Sequence, residues 1–311
     1  MKEQIIIATR GSKLALAQAG WVQAQLQGRY PQMEISLRII KTTGDKILDV
    51  PLAQVGGKGL FTKEIEQAIL DKEADLGVHS MKDVPTEIPP GLTIGVITAR
   101  EDERDALISN HWKSLEDLPP GGRIGTSSLR RRAQLLHLRP DLQIQSMRGN
   151  VDTRIKKLAS EQLDGIILAV AGLKRLGLAH LITCTLPITQ MLPAIGQGAL
   201  GLEFREQDSR IREMLAFFDD PDCHITLRAE RAFLNRLEGG CQVPIAARSY
   251  LEGGYLKLEG LIGSLDGKVI IREKIEGLPM EAESLGIRLA QGLLEQGGAE
   301  ILSEIYGRSF A

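Results

Sequence analysis

The most constraining feature of this chain is a unit that repeats along its first two thirds. A short apolar run is followed by a polar turn and then by an amphipathic helical pattern. Residues 4–8 form the first apolar run, Thr9-Arg10-Gly11-Ser12 the turn, and Leu14, Ala15, Leu16, Ala19, Val22 and Leu26 the apolar face after it. Ser12 is a good helix N-cap, and strand–turn–helix alternation is the signature of an α/β domain. Further strands are predicted at residues 34–40, 75–79, 92–97, 105–109, 142–147 and 165–170, with a helix at 62–72. The run 165–170 is apolar throughout, as expected of a strand buried on both faces. From about residue 218 the pattern changes. One helix is followed by strands near 244–251, 255–262 and 268–275, then by a helical region with Leu285, Leu289 and Leu293 on one side. A meander with helices gathered at its ends is α+β.

The chain has 311 residues, enough for two or three domains. With 43% hydrophobic and 25% charged residues it has an ordinary globular composition. The charge is balanced, 38 basic against 40 acidic side chains, and aromatics are only 4%. A protein that tracks a nucleic-acid backbone needs a basic excess, and one that holds single strands needs stacking rings, so neither class is indicated. Cys184, Cys223 and Cys241 are odd in number and lack CxxC spacing, so no disulfide framework or cysteine metal site is expected. The N-terminal apolar run is too short for a signal peptide or membrane span. The expectation is a cytoplasmic protein.

Polar residues collect at the carboxyl ends of the predicted strands, where open α/β sheets bind ligands. Arg10 lies beside the free N–H groups of a helix start, which suits an anion. An ordinary capped turn with an exposed arginine accounts for it equally. Ser80-Met81-Lys82-Asp83-Val84-Pro85 ends another strand. A carboxylate beside a lysine there suits a general acid or base, and also suits a surface ion pair in a turn before proline. Thr126-Ser127-Ser128 leads into a helix opening with Arg130, Arg131 and Arg132. Cations are disfavoured in a first helical turn, so this arrangement calls for an anion. Arg148 and Arg154 come from the next strand–helix turn and should gather at the same sheet end. Guanidinium forks match carboxylates and phosphates alike, so the cluster predicts a polyanion without naming it. The charged run 100–104 reads as a solvated connection and a domain boundary. Gly56-Gly57-Lys58-Gly59 reads as a pliable loop without Walker spacing.

Cys241 follows Glu238-Gly239-Gly240 and precedes Gln242-Val243-Pro244. Ala229, Phe233 and Leu237 mark a helix running into it, and the two glycines are expected to end that helix. A thiol on such a turn is suited to reaction rather than to core packing.

Residues 238–244 resemble the cofactor-attachment loop of the porphobilinogen deaminase (hydroxymethylbilane synthase) family. Arg10 and Ser12, and residues 56–61, 78–85, 125–131, 148–151, 169–177 and 192–198, resemble that family's segments in order and spacing. Lys13 stands where the family pattern suggests proline, and Ala246-Ala247-Arg248 matches no recognised form.

The resemblance implies two α/β lobes like those of periplasmic binding proteins, plus a small C-terminal α+β domain. Lobe 1 would comprise residues 1–98 and 199–217, lobe 2 residues 99–198, and the third domain residues 218–311. It implies a transferase that deaminates four porphobilinogen molecules and joins them head to tail into hydroxymethylbilane. The primer would be a dipyrromethane attached to Cys241 through a thioether, and no metal is implied. Asp83 would be the catalytic carboxylate, stabilising positive charge as ammonia leaves and moving protons. Cofactor contacts would come from Ser80, Lys82, Asp83, Thr126, Ser127, Ser128, Arg130, Arg131 and Arg148. Substrate contacts would come from Arg10, Ser12, Arg148, Arg154 and Gln197, with Lys58 on a movable cover. Porphobilinogen would be the small-molecule partner of a monomeric enzyme with no nucleic-acid or membrane partner.

A binding protein for an anionic metabolite would also explain lobes and arginines, but leaves Cys241 and Asp83 without a task. An effector-binding regulator would need a DNA-reading module, and no helix-turn-helix pattern flanks the lobes. Ehrlich's reagent separates these readings, since only a bound pyrrole with a free α-position gives colour. The expected intact mass exceeds the sequence mass by two deaminated porphobilinogens, carried on the Cys241 peptide. An active protein with unmodified Cys241 would rule this out.

Overall fold

The computed structural model describes residues 4–46, 59–239 and 243–310. Cys241 and Lys58 lie outside the described residues. The first sheet is built from β1 (Gln4–Arg10), β2 (Glu34–Ile40), β3 (Leu76–Ser80) and β4 (Leu92–Ile97). The second comprises β5 (Asp105–Ile108), β6 (Arg123–Gly125), β7 (Gln143–Gln145), β8 (Gly165–Ala169) and β9 (Cys184–Thr185). The chain then returns to the first sheet as β10 (Leu200–Arg205). The third sheet is an antiparallel meander of β11 (Ile245–Glu252), β12 (Tyr255–Gly263) and β13 (Ile270–Gly277).

Strand order is β2-β1-β3-β10-β4 in the first sheet and β7-β6-β8-β5-β9 in the second. Three neighbouring strands run parallel in each: β2, β1 and β3, then β7, β6 and β8. One antiparallel strand sits beside each trio, β10 and β5 respectively. Those two strands adjoin the two connections between the lobes. The strand–helix pattern therefore marks the parallel core of each lobe, while the crossing strands interrupt it.

The helices form where caps and apolar spacing coincide. Helix Lys13–Arg29 starts at Ser12, whose hydroxyl accepts from the Ala15 N–H at 3.2 Å, and buries Ala19, Val22 and Leu26. Helix Pro221–Arg236 starts at Asp220, which accepts from the Cys223 N–H at 2.8 Å, with Pro221 in the first turn. It packs on helix Ala282–Leu293 and on the meander around Phe233, Leu258, Leu285 and Leu289.

Its end differs from the glycine stop expected. The residue in the left-handed conformation is Glu238, at φ +48°. Tyr306 donates to its carbonyl at 2.9 Å, and Arg308 pairs with its carboxylate. Gly239 is needed for space: a Cβ there would lie 2.5 Å from Leu234.

The charged run 100–104 is solvated only in part: Arg104 is exposed, but Arg100 and Glu103 are not. The largely buried Arg100 guanidinium pairs with Glu230 and Glu103, each at 2.9 Å. Glu103 also pairs with Arg248, which stacks over Tyr250. Arg248 thus has a concrete task that its sequence context did not announce. Glu230 is fully buried. It also accepts from the Gly196 N–H at 2.8 Å and from the Ser249 N–H and hydroxyl, both at 2.9 Å. One carboxylate on the third domain therefore holds both inter-lobe connections. These connections touch at Gly198, at φ +94°, where a Cβ would lie 2.3 Å from the Glu101 carbonyl oxygen. Glu230→Ala leaves a buried guanidinium without its main counterion. The expected loss is about 3–5 kcal/mol in urea unfolding; a loss under about 1 kcal/mol would show that the network does not bear on stability.

Candidate functional site

β3 delivers Ser80 at its carboxyl end, and a single 3₁₀ turn, Met81–Asp83, then sets Lys82 and Asp83 side by side. Met81 is buried against Gly201 and Gly196, which anchors the turn from below. Ser80 is held by Gln18 of the first helix, whose amide donates to its hydroxyl at 2.9 Å. Ser80, Asp83, Arg10, Ser12 and Phe61 line one cleft. Ser12 is occupied as the helix cap described above. Arg10, at the end of β1, is engaged by Asp45 and stacks over Phe61 at 4.0 Å.

The second lobe contributes the arginines. Helix Leu129–Leu138 is capped by Ser128, whose hydroxyl accepts from the Arg131 N–H at 3.4 Å. Ser127 ties the turn after β6 to the turn after β7. Its hydroxyl donates to the Met147 carbonyl, and the Met147 N–H donates back at 2.8 Å. Thr126 accepts from the Ser128 N–H at 3.2 Å. These three hydroxyls build the turn that presents Arg130 and Arg131.

The anion required by the first-turn arginines is in part the protein's own. Asp105, the first residue of β5, is fully buried. It accepts from Arg130 at 2.8 Å, from Arg131 at 2.7 Å and from the Gln197 amide at 2.9 Å. Arg130 also donates to the Leu192 carbonyl at 2.7 Å, and Arg131 to the Ile167 carbonyl at 3.0 Å. Burial alone would raise the Asp105 carboxyl, but the two guanidiniums override it and hold the group well below the usual carboxylate range. Buried Nε of Arg131 and Oε1 of Gln197 have no hydrogen-bond partner among the described residues. They are one donor and one acceptor, close to the same internal carboxylate.

Arg154, on helix Val151–Ser160, donates from Nε to the Gly149 carbonyl at 2.9 Å. Burial, together with the charges of Arg131 and Arg148, pushes its guanidinium down to about 10, with Asp83 acting in the opposite direction. Lys82 is also lowered, first by desolvation and also by Arg131 and Arg130, while Asp83 and Asp105 work against the shift. Asp83 and Lys82 of the first lobe thus lie within the field of Arg130, Arg131 and Arg154 of the second. The result is a cationic cleft with a carboxylate in it, suited to a small polyanion that carries hydrogen-bond donors.

Asp105, Asp45 and Gln18 did not emerge from the sequence as site residues. A charged residue opening an otherwise apolar strand was the available signal for Asp105. Nothing local distinguishes Asp45 or Gln18, whose partners lie 35 and 62 residues away.

Fold and cleft together define a two-lobed α/β protein with a small α+β domain set against the lobe connections. Residues 5–213 match the family model described as "Porphobilinogen deaminase, dipyromethane cofactor binding domain", and residues 224–295 match "Porphobilinogen deaminase, C-terminal domain". The chain is 57% identical to the porphobilinogen deaminase of Pelobacter propionicus, over 98% of each chain. It is 59% identical to that of Geobacter sulfurreducens, over 97% of this chain and 95% of the relative. Among solved structures, a methionine-binding protein aligns with 71% of this chain and 92% of its own, at TM-score 0.45 and 11% identity. The chain belongs to the porphobilinogen deaminase family, and it is an enzyme.

The Asp105 cluster predicts a pH effect. A carboxyl lowered by folding adds stability that is fully present above its unfolded value, about 3.9, and is lost as pH falls toward the native value. Urea unfolding between about pH 5 and pH 2 should therefore show a shallower pH slope for Asp105→Asn than for the parent. Superimposable slopes would mean that Asp105 is not held in its charged form by Arg130 and Arg131.

Proposed function

We propose that this enzyme deaminates porphobilinogen and couples four molecules head to tail into hydroxymethylbilane, in tetrapyrrole biosynthesis. The observation that carries this reading is the placement of one carboxylate, Asp83, within the field of Lys82 and Arg154 in a cleft that Arg10 also lines. Porphobilinogen carries an acetate, a propionate, a pyrrole N–H and an aminomethyl group. Guanidiniums recognise its acid side chains, and a carboxylate is the natural acceptor for its N–H.

The chain's own residues fit a dipyrromethane. The buried Arg131 Nε is a donor without a hydrogen-bond partner among the described residues, placed to meet a carboxylate. Arg131, Arg148 and Lys82 would hold its acid side chains, with Ser80 and the Thr126–Ser128 turn fixing their directions. Arg130 spends Nη1 on Asp105 and on the Leu192 carbonyl, which braces it beside Arg131. Attached to Cys241 through a thioether, the group supplies a nucleophilic pyrrole carbon and keeps the product bound until release. Arg10, Ser12, Arg154 and Gln197 receive the incoming porphobilinogen.

Asp83 accepts the substrate's pyrrole N–H and stabilises the positive charge that spreads over the ring as ammonia leaves. It then takes the proton released when the newly joined ring regains aromaticity. Lys82, beside Asp83 on the same turn, helps position cofactor and substrate. Lys58 belongs to the substrate cover in this reading. The enzyme acts as a monomer in the cytoplasm. In support of a monomer, the apolar faces of the two lobe sheets are packed by segments of the same chain.

Asp83→Asn, loaded with preformed hydroxymethylbilane to bypass cofactor assembly, tests this role. The variant is expected to stay folded, keep its pyrroles by mass, and release ammonia about 10²–10⁴-fold more slowly. Turnover within about threefold of the parent would place the catalytic carboxylate elsewhere.

A further inference from the structure

Arg10 is read above as a receiver of substrate carboxylate, yet its Nε–Nη2 fork is already filled. Nε and one terminal nitrogen bind the two Asp45 oxygens, at 3.2 and 2.5 Å. This is the two-point geometry that a ligand carboxylate would adopt on the same group. Phe61 covers one face of the guanidinium at 4.0 Å, so an acid approaches it edge-on, and the Nε–Nη2 edge is the one Asp45 holds.

The Asp45 carboxylate is held from behind by the Thr42 hydroxyl at 2.8 Å, within the short turn that also bonds the Asp45 N–H to the Thr42 carbonyl. The two pair members are 20% and 26% exposed, so water and solutes reach the contact. Burial would raise the Asp45 carboxyl, but Arg10 and Thr42 more than offset this and keep it ionised. Arg10 and Asp83 line the same cleft.

We propose that Asp45 is a placeholder for the substrate's acid side chain: it occupies the Arg10 fork between couplings and is displaced when a porphobilinogen carboxylate arrives. This rests on the reading of Arg10 as a substrate-binding residue. Two consequences follow from ordinary ion-pair behaviour. The fork stays aligned while no substrate is bound, with no stray anion needed to hold it. Each arriving monomer must also outcompete an internal carboxylate, so the Arg10 contact is weakened by the strength of the Asp45 pair. A partly exposed pair is weak enough to exchange, unlike the sealed Asp105 cluster.

The two possible roles of Asp45 predict opposite signs. If Asp45 competes with substrate, Asp45→Asn frees the fork, and KM for porphobilinogen falls about threefold to fivefold. Because this strengthens ground state and transition state alike, kcat stays within about twofold. If Asp45 only braces Arg10, its loss lets the guanidinium wander, and KM rises. Arg10→Leu and the double variant complete the test. On the proposal, Arg10→Leu raises KM, and adding Asp45→Asn to it changes nothing further, because the fork is gone.

A KM that is unchanged or raised in Asp45→Asn, with Arg10→Leu still raising KM, overturns the placeholder and leaves the Arg10 assignment standing. An Arg10→Leu variant with the parental KM overturns both. Circular dichroism and intact mass on each variant establish that fold and cofactor loading are retained. The turn carrying Asp45 is at the surface, so the Asn variant is expected to fold.

Discussion

Much of this structure depends on where one carboxylate sits. Asp105 is buried at the junction of the second lobe with the connection that enters it, and two guanidiniums and an amide converge on it. An isolated buried aspartate would carry a desolvation penalty of several kcal/mol, and two adjacent buried arginines a comparable one. Together they cancel most of each other's cost. What remains is a net positive charge, with Arg131 retaining one unused donor. A ligand carboxylate then meets a cation already desolvated and oriented, which lowers the cost of organising the site on binding.

The same carboxylate links the cleft to the inter-lobe connections. Gln197 lies on the returning connection and also donates to the Glu103 carbonyl on the outgoing one. Glu103 pairs with Arg100 and Arg248, and Arg100 with Glu230 of the third domain. A continuous path of hydrogen bonds thus runs from the cleft arginines through both connections to the helix that leads toward Cys241. That helix ends at Arg236, and Glu238 just beyond it takes a left-handed conformation, bonded by Tyr306 and Arg308 near the C-terminus. The third domain therefore holds both the inter-lobe connections, through Glu230, and the backbone at Glu238 that precedes the cysteine loop.

Arginine–carboxylate pairs recur here with different consequences set by burial. The Asp105 pairs are sealed and organise the interior. The Arg10–Asp45 pair is reached by water and can exchange. The pair of Lys13 with Asp152, at 3.1 Å, crosses from the first helix of one lobe to helix Val151–Ser160 of the other and uses the lysine that departs from the family pattern. Exposed pairs of this kind contribute little to stability, so tolerance of change at residue 13 is unsurprising.

The sequence by itself determined the strands and helices of both lobes, the α+β character of the last third, and the stretches that carry chemistry. Local information was sufficient because hydrophobic period, caps and turn residues act over a few positions. Ser12, Ser128 and Asp220 cap the helices that their spacing implied. The convergence of arginines at one sheet end also followed, because parallel strands put successive turns on the same side. Tertiary structure alone decided which charges were spent inside the protein. Arg130 read as a ligand contact, and its Nη1 is spent on Asp105 and Leu192; the run 100–104 read as solvated, yet Arg100 and Glu103 close on Glu230 and Arg248. A guanidinium has the same local signature whether it faces solvent, a ligand or a carboxylate more than a hundred residues away. Only the packing that removes water from that partner determines which of these it meets.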